Sequence, residues 1–290
     1  MIIPWATDAP IYHRPLATVG VLVACVLSFL LVPAAVQREW MLSLGDGLHP
    51  VQWLSSVFLH ANVIHLLGNL LFLWTFGIIV EGKLGSLGFL AVYAALGVFP
   101  GAVLQATLRP DDVLHLAGSS AAIFGLMAIC MIWAPQNEIS CLVILIAFLR
   151  PLIFQPDVSI LWFAAFYIVW EAVGTGFWTL AVSPQILGFS NLLGTLGGVI
   201  LGVSLLKLNL VDCEGWDLFS WMKGRRTGTL GTSSRSKPTY RSSDRARKKK
   251  SRARKAKAAG EDLALTAART LRAHLDAGET EAAIGFYRDV

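Results

Sequence analysis

The sequence predicts an all-α, polytopic membrane protein built as a bundle of six transmembrane helices. Three observations carry this reading. Of the 290 residues, 55% are hydrophobic, and a mean hydropathy of +0.60 lies above what soluble domains reach. Six apolar runs recur within the first 208 residues. Basic residues are not spread over a surface but gathered in one tail: residues 223–257 hold 15 of the 24 Lys and Arg, with Asp244 the one acid among them.

A span needs roughly 20 apolar residues, because about 30 Å of hydrocarbon is crossed at about 1.5 Å per residue. The start, "MIIPWATDAPIYHR", lacks the basic flank and small-residue cleavage site of a removable signal. Residues 1–15 are therefore expected as a cytoplasmic N-terminus, and the first helix as a permanent one. The membrane domain is expected over 16–208, with helices near 16–36, 66–80, 87–108, 117–134, 158–178 and 185–208. The second is short and lengthens if His65 at its mouth is counted. Between the fourth and fifth, "ISCLVILIAFLRPLIFQP" (139–156) is broken by Arg150-Pro151 and is expected to be re-entrant or interfacial. The positive-inside rule puts the basic tail in the cytoplasm, and an even helix count returns the N-terminus there.

Beyond the sixth helix, residues 209–260 read as an interfacial anchor and a basic linker. Trp216, Phe219 and Trp221 beside Lys223 and Arg225 supply the anchor. The Gly, Ser, Thr and Lys/Arg-rich stretch that follows is expected to be disordered and drawn to anionic lipid headgroups. Residues 261–290 read as two short helices: Leu263, Ala267, Leu271 and Leu275 recur at i+4 and Gly278 ends the pattern. So short a segment buries too little to fold well alone, which favours docking or self-association. No nucleic-acid partner is expected, since Tyr240 alone interleaves the basic run. Cys25, Cys130, Cys141 and Cys213 lack metal-ligand spacing, so neither a metal, a cofactor nor a disulfide framework is expected.

Polar groups inside apolar helices are expensive, so each requires a reason. With helix 1 running outward, helices 2, 4 and 6 all start at the outer face, and the polar oddities sit at those three starts. Helix 2 opens "FLHANVIHLLGNLLFLW", with His60, His65 and Asn69; the last two are four apart and share a face. Helix 4 opens "AGSSAAIFG", with Ser119 and Ser120, and helix 6 opens "GFSNLLGTLGGVILG", with Ser190, Asn191 and Thr195. Packing glue would scatter along the helices. Clustering at one depth points to a shared site.

On these residues the chain resembles the rhomboid intramembrane serine proteases over roughly residues 15–208. The resemblance rests on "HLLGN" (His65 to Asn69), "GSSA" (Gly118 to Ala121) continuing "AIFG", and "FGIIVEGKLG" after helix 2. The six-helix count and the long segment 37–60 agree with it. It implies that Ser120 is the nucleophile, and that His65 and Asn69 stabilise the oxyanion together with backbone N–H groups near Ser120. Amide hydrolysis needs such donors about 2.7–3.1 Å from the developing charge. It also implies transmembrane protein substrates.

The family's serine–histidine dyad takes its histidine from helix 6, and there the pattern departs. The six histidines are His13, His49, His60, His65, His115 and His274, none of them on that helix. The family's His-x-x-Gly-x-x-x-Gly pattern can be laid on helix 6 with Asn191, Gly194 and Gly198, or with Thr195, Gly198 and Gly202. Asn191 is favoured: it lies a few residues inside its helix, as Ser120 does, whereas Thr195 lies about 6 Å deeper, one turn. Asparagine has no basic nitrogen and cannot accept the serine's proton. His65 or His115 could reach Ser120 instead.

Two functions follow: an intramembrane serine endopeptidase, or a non-catalytic rhomboid (a pseudoprotease) that binds transmembrane helices of client proteins. Gly194, Gly197, Gly198 and Gly202 read as close-packing positions under either. Trp53, Trp74, Trp133 and Trp178 read as an interface belt. Glu171, in "FYIVWEAVG", is a buried-looking acid without an assigned role.

Overall fold

A computed structural model of the chain describes residues 2–108, 113–147, 150–177, 184–224 and Arg272. Contacts divide the chain into two units, Met1–Gly228 and Thr229–Val290. The first holds every helix and strand named below. The basic run from residue 225 onward, and the two short helices expected over 261–290, lie outside the described residues apart from the helical Arg272.

Helix α1 (Leu16–Leu31) ends well short of the expected residue 36, because Val32 precedes Pro33 and is driven to an extended conformation. A separate helix α2 (Ala34–Trp40) follows. Pro15 offers no side-chain cap to α1, so its first N–H groups need acceptors from elsewhere. Glu81 supplies them. Its buried carboxylate accepts from Ala17 N (2.8 Å), Thr18 N (2.7 Å), Thr18 Oγ1 (2.6 Å) and Ser86 Oγ (2.5 Å).

The segment up to α4 is ordered by strand β2 (Leu42–Leu44), helix α3 (Pro50–Ser55) and the 3-10 turn Ser56–Phe58. Gln105, buried near the end of α4, ties it down. Its amide donates to Ser43 O (2.7 Å) and accepts from His49 N (2.9 Å) and Trp53 Nε1 (2.6 Å). Helix α4 (Val63–Thr107) is broken at Gly85, whose φ of 74° and ψ of 171° leave the helical region. Two apolar segments, 63–84 and 86–107, result.

After strand β3 (Leu114–Leu116), which pairs with β2, come α5 (Ser120–Trp133), α6 (Ile160–Phe177), α7 (Pro184–Lys207) and the short α8 (Leu218–Met222). Among the described residues, Val63–Thr107 and Ile186–Lys207 are long and apolar enough to cross a membrane; Leu16–Leu31, Ser120–Trp133 and Ile160–Thr175 are shorter apolar helices.

The chain is mostly helical but not all-α, which corrects the expected fold class. Residues 139–156, expected as an interrupted segment too short to cross, add no helix to the bundle. They form strands β4 (Glu138–Ala147) and β5 (Arg150–Phe154), an antiparallel pair extended by β6 (Asp157–Ser159). Within the N-terminal residues 1–15, for which no element is expected, strand β1 (Ile2–Thr7) pairs on the other side of β4, with Ile3 opposite Leu142. A short apolar run rich in β-branched residues fits a buried strand as well as a helix, and hydropathy alone does not separate them. Pairing with β1 satisfies the backbone, which a lone segment could not do.

Helices α5 and α7 run parallel with their backbones touching. A Cβ on Gly194 would strike the backbone of Ala121, one on Gly198 that of Gly125, and one on Gly202 would meet Ile129 and Ile132 at 3.2–3.4 Å. Trp133, expected in an interface belt, is instead fully buried at the far end of this contact and donates Nε1–H to Gly202 O (2.9 Å). Trp53 is half-buried on Gln105, Trp74 is partly exposed, and Trp178 lies outside the described residues. Trp216, Phe219 and Trp221 are exposed around α8, which Asp217 caps.

Candidate functional site

Ser120 opens α5, so its hydroxyl stands at a helix N-terminus. The first N–H groups of that helix, among them those of Ser120 and Ala121, have no intrahelical partners, and both residues line the cavity described below. Gly118 N is not among the free donors, since it bonds Ser56 O at 3.0 Å. Gly118 itself has φ +130°, and a Cβ there would lie 2.7 Å from His65 Cε1 and 3.0 Å from Nε2. Only glycine leaves room for the imidazole to reach the serine.

Helix α4 delivers the other two groups from one face. Asn62 caps it by accepting from His65 N (2.8 Å), which fixes where His65 and Asn69 project. His65 Nε2 lies 3.2 Å from Ser120 Oγ, and the Ser120 hydroxyl donates to Asn69 Oδ1 at 3.4 Å. With its single proton so used, Oγ can meet Nε2 only as an acceptor, which requires the Nε2-protonated tautomer of His65. Asn69 Nδ2 is buried without a hydrogen-bond partner among the described residues. A buried amide proton left unpaired costs stability unless something occupies it in function.

Beside this lies a second serine–imidazole contact. His60, in the loop ahead of α4 and 2% exposed, donates Nδ1–H to Phe58 O (3.3 Å), leaving Nε2 3.5 Å from Ser119 Oγ. Burial, reinforced by the nearby His65, lowers the His60 imidazole to about 4, so it is neutral near pH 7. The two rings meet edge-on at 5.3 Å.

From α7, Asn191 and Ser190 line the same small cavity as Ser120, about 40 Å³, closed by Leu42, Ser56, Pro100 and Leu187. Thr195 does not line it, and its hydroxyl donates to Asn191 O (3.0 Å). Asn191 Nδ2 donates to Glu171 Oε1 at 2.8 Å rather than to Ser120. His115 sits in β3 opposite Ser43, exposed and without a side-chain contact to Ser120 among the described residues.

Thus Ser120 meets both His65 and Asn69, Asn191 lines the cavity at Ser120, and His115 is held elsewhere. The partner of Glu171 was not legible in sequence, though a lone acid in an apolar helix signals that one exists. The Ser119–His60 contact and the Gln105 anchor carried no sequence signal beyond residue type. Among the described residues, no cluster of three or more potential metal ligands occurs, and all four cysteines are buried and free.

Fold and site together define a helical membrane protein in which a serine at a helix N-terminus is met by an imidazole and a carboxamide on one side and shares a small cavity with a second carboxamide. The family model of the rhomboid domain matches residues 48–208, more than half of the sequence, and the chain belongs to the rhomboid family. It is 38% identical over 81 residues to Rhomboid-like protein 11, chloroplastic, of Arabidopsis thaliana, a stretch covering 28% of each chain. It is 33% identical over 95 residues to the putative rhomboid protease YdcA of Bacillus subtilis, covering 32% of this chain and 47% of that one. It is also 36% identical over 85 residues to the rhomboid protease GluP of the same organism, covering 29% of this chain and 16% of that one. The matched stretches span less than half the length of each relative.

Proposed function

We propose that the chain is a six-span, membrane-embedded rhomboid that takes transmembrane segments of other proteins at the Ser120 cavity without cutting them by a serine–histidine dyad. The six crossings are α1, the two parts of α4 on either side of Gly85, α5, α6 and α7, with both termini cytoplasmic. The observation that carries this reading is the hydrogen bond from Asn191 Nδ2 to Glu171 Oε1. The residue in the family's histidine place is committed as a donor to an acid and has no lone pair basic enough to take the serine's proton.

A second reading, a slow intramembrane serine endopeptidase, is supported by the 3.2 Å approach of His65 to Ser120. It requires the other imidazole tautomer, with Nε2 unprotonated, and leaves oxyanion stabilisation to Asn69 Nδ2 and the α5 N–H groups. One experiment separates the two: fluorophosphonate labelling of the purified chain, of Ser120→Ala and of His65→Ala. We expect at most trace labelling, roughly 10³-fold or more below that of a version carrying histidine at the Asn191 position. Robust labelling lost in both variants makes His65 the base and the chain an active protease.

The basic tail we assign to anionic headgroups. Each Lys or Arg near such a surface contributes about 1 kcal/mol, screened by salt. A peptide of residues 223–257 is expected to bind phosphatidylserine vesicles at low salt and to be released at high salt. Salt-insensitive binding, or none, assigns the tail to a protein partner.

A further inference from the structure

Glu171 is a carboxylate on an apolar helix, and its neighbours explain where it points. Gly188 on α7 brings α6 and α7 close: a Cβ there would lie 3.1 Å from Thr175 Cβ and 3.3 Å from Glu171 Oε1. This close approach lets the Glu171 side chain reach the first turns of α7, where Oε1 receives Nδ2–H of Asn191 at 2.8 Å. Asn191 in turn lines the cavity that holds Ser120. Residue 191 therefore both bonds the acid and lines the cavity of the serine.

We propose that Glu171 is a positioning residue for the α7 side chain at the Ser120 cavity, placed to hold an imidazole there as the third member of a Ser–His–Glu relay. The proposal rests on the reading of Asn191 as occupying the family's histidine place. Atom order supports it. Asn Nδ2 and His Nδ1 are both bonded to Cγ, so an imidazole at this position presents Nδ1–H where Glu171 already accepts. Its Nε2 then projects farther, as an acceptor toward Ser120 Oγ. A carboxylate on Nδ1–H fixes the tautomer and stabilises the imidazolium formed when Nε2 takes the serine proton. In the chain as it stands, the same carboxylate holds Asn191 with Nδ2 toward α6, leaving Oδ1 as the acceptor offered to the cavity.

The charged and titratable groups around this position are few. Among the described residues, α6 offers Glu171 and Tyr167, α5 offers Cys130 toward its far end, and α7 offers Lys207 at its inner end. Helix α4, which also packs on α7, carries His65 across Ser120, Tyr93, and Glu81 and Lys83 before its break, all common to the variants below.

The test uses the full-length chain in detergent, with fluorophosphonate labelling rates measured from pH 5 to 9. Asn191→His is compared with Asn191→His/Glu171→Gln and Asn191→His/Glu171→Asp, each with and without Ser120→Ala. Labelling requires a neutral imidazole, so its rate rises with pH through the imidazole pKa. A neighbouring carboxylate raises that pKa, and its loss moves the midpoint down. We expect Glu171→Gln to slow Ser120-dependent labelling by about tenfold or more and to lower the midpoint by about one pH unit. Glu171→Asp is expected to restore part of both. A merely structural role would reduce the folded fraction and leave the midpoint in place. Labelling of Asn191→His that Glu171→Gln changes in neither rate nor midpoint overturns the proposal alone. Absence of labelling in Asn191→His at every pH overturns the placement of residue 191, and the proposal with it.

Discussion

Asn191→His is expected to give the chain Ser120-dependent fluorophosphonate labelling, whereas Thr195→His is expected to leave it unreactive. The first position lines the Ser120 cavity, and its side chain already directs a nitrogen at Glu171. An imidazole there has an acid behind it and the serine in front, within reach of the 2.6–3.2 Å or so that proton transfer requires. The second position is off the cavity lining, and its present hydroxyl is turned back onto Asn191 O. A ring placed there has no carboxylate to orient it and lies deeper in an apolar helix, where desolvation disfavours the charged form. The expected contrast is on the order of 10³-fold in labelling rate, the scale by which a missing triad member depresses a serine hydrolase. Labelling gained at 195 and not at 191 would reverse the alignment of α7 on the family pattern. If neither gains it, the client-binding reading stands with no latent chemistry.

The second large effect is expected at the α5–α7 contact. Gly194→Ala and Gly198→Ala each place a methyl group on α5 backbone, of Ala121 and Gly125 respectively, and helix backbone, unlike a side chain, cannot rotate aside. Overpacking of a well-filled core costs about 1–3 kcal/mol, and a backbone collision belongs at the top of that range. Gly202→Ala instead meets Ile132 Cδ1 at 3.2 Å and Ile129 at 3.4 Å, mostly side chain that can shift by a few tenths of an ångström. Thermal unfolding in detergent should therefore rank Gly194→Ala and Gly198→Ala well below Gly202→Ala. In an Asn191→His background the first two should also abolish labelling, because they part the helices that carry Ser120 and residue 191. Equal stability of all three variants would mean that α5 and α7 are not in backbone contact.

Three glycines that look alike in sequence thus differ in what they touch. The same holds for the tryptophans. Trp133 and Trp216 both read as interface residues, yet one is sealed in the core by its bond to Gly202 O and the other lies open beside α8. Burial is a property of neighbours, and a local pattern reports only the residue type that tolerates it.

The strand character of residues 139–156 was illegible for a related reason. The run is apolar and short; it folds back on itself as β4 and β5, and the other edge of β4 is closed by a partner more than 130 positions away, the N-terminal β1. Backbone pairing over that distance leaves no local trace.

What the sequence by itself determined is the apolar character of the chain, the positions of its long helical segments, and the family to which it belongs. It also set the residue types at the site, because hydroxyl, imidazole and amide groups in apolar helices are costly enough to stand out. The missing histidine on α7 is legible in the same way, since six histidines can be read off and none falls there. Only the tertiary structure decided which groups meet. It set His65 at 3.2 Å from Ser120, left Asn69 Nδ2 buried and unpaired among the described residues, and gave Asn191 to Glu171. Those outcomes depend on helix register and on close approach at Gly118, Gly188 and Gly194, where the absence of a Cβ sets the distance between chain segments far apart in sequence.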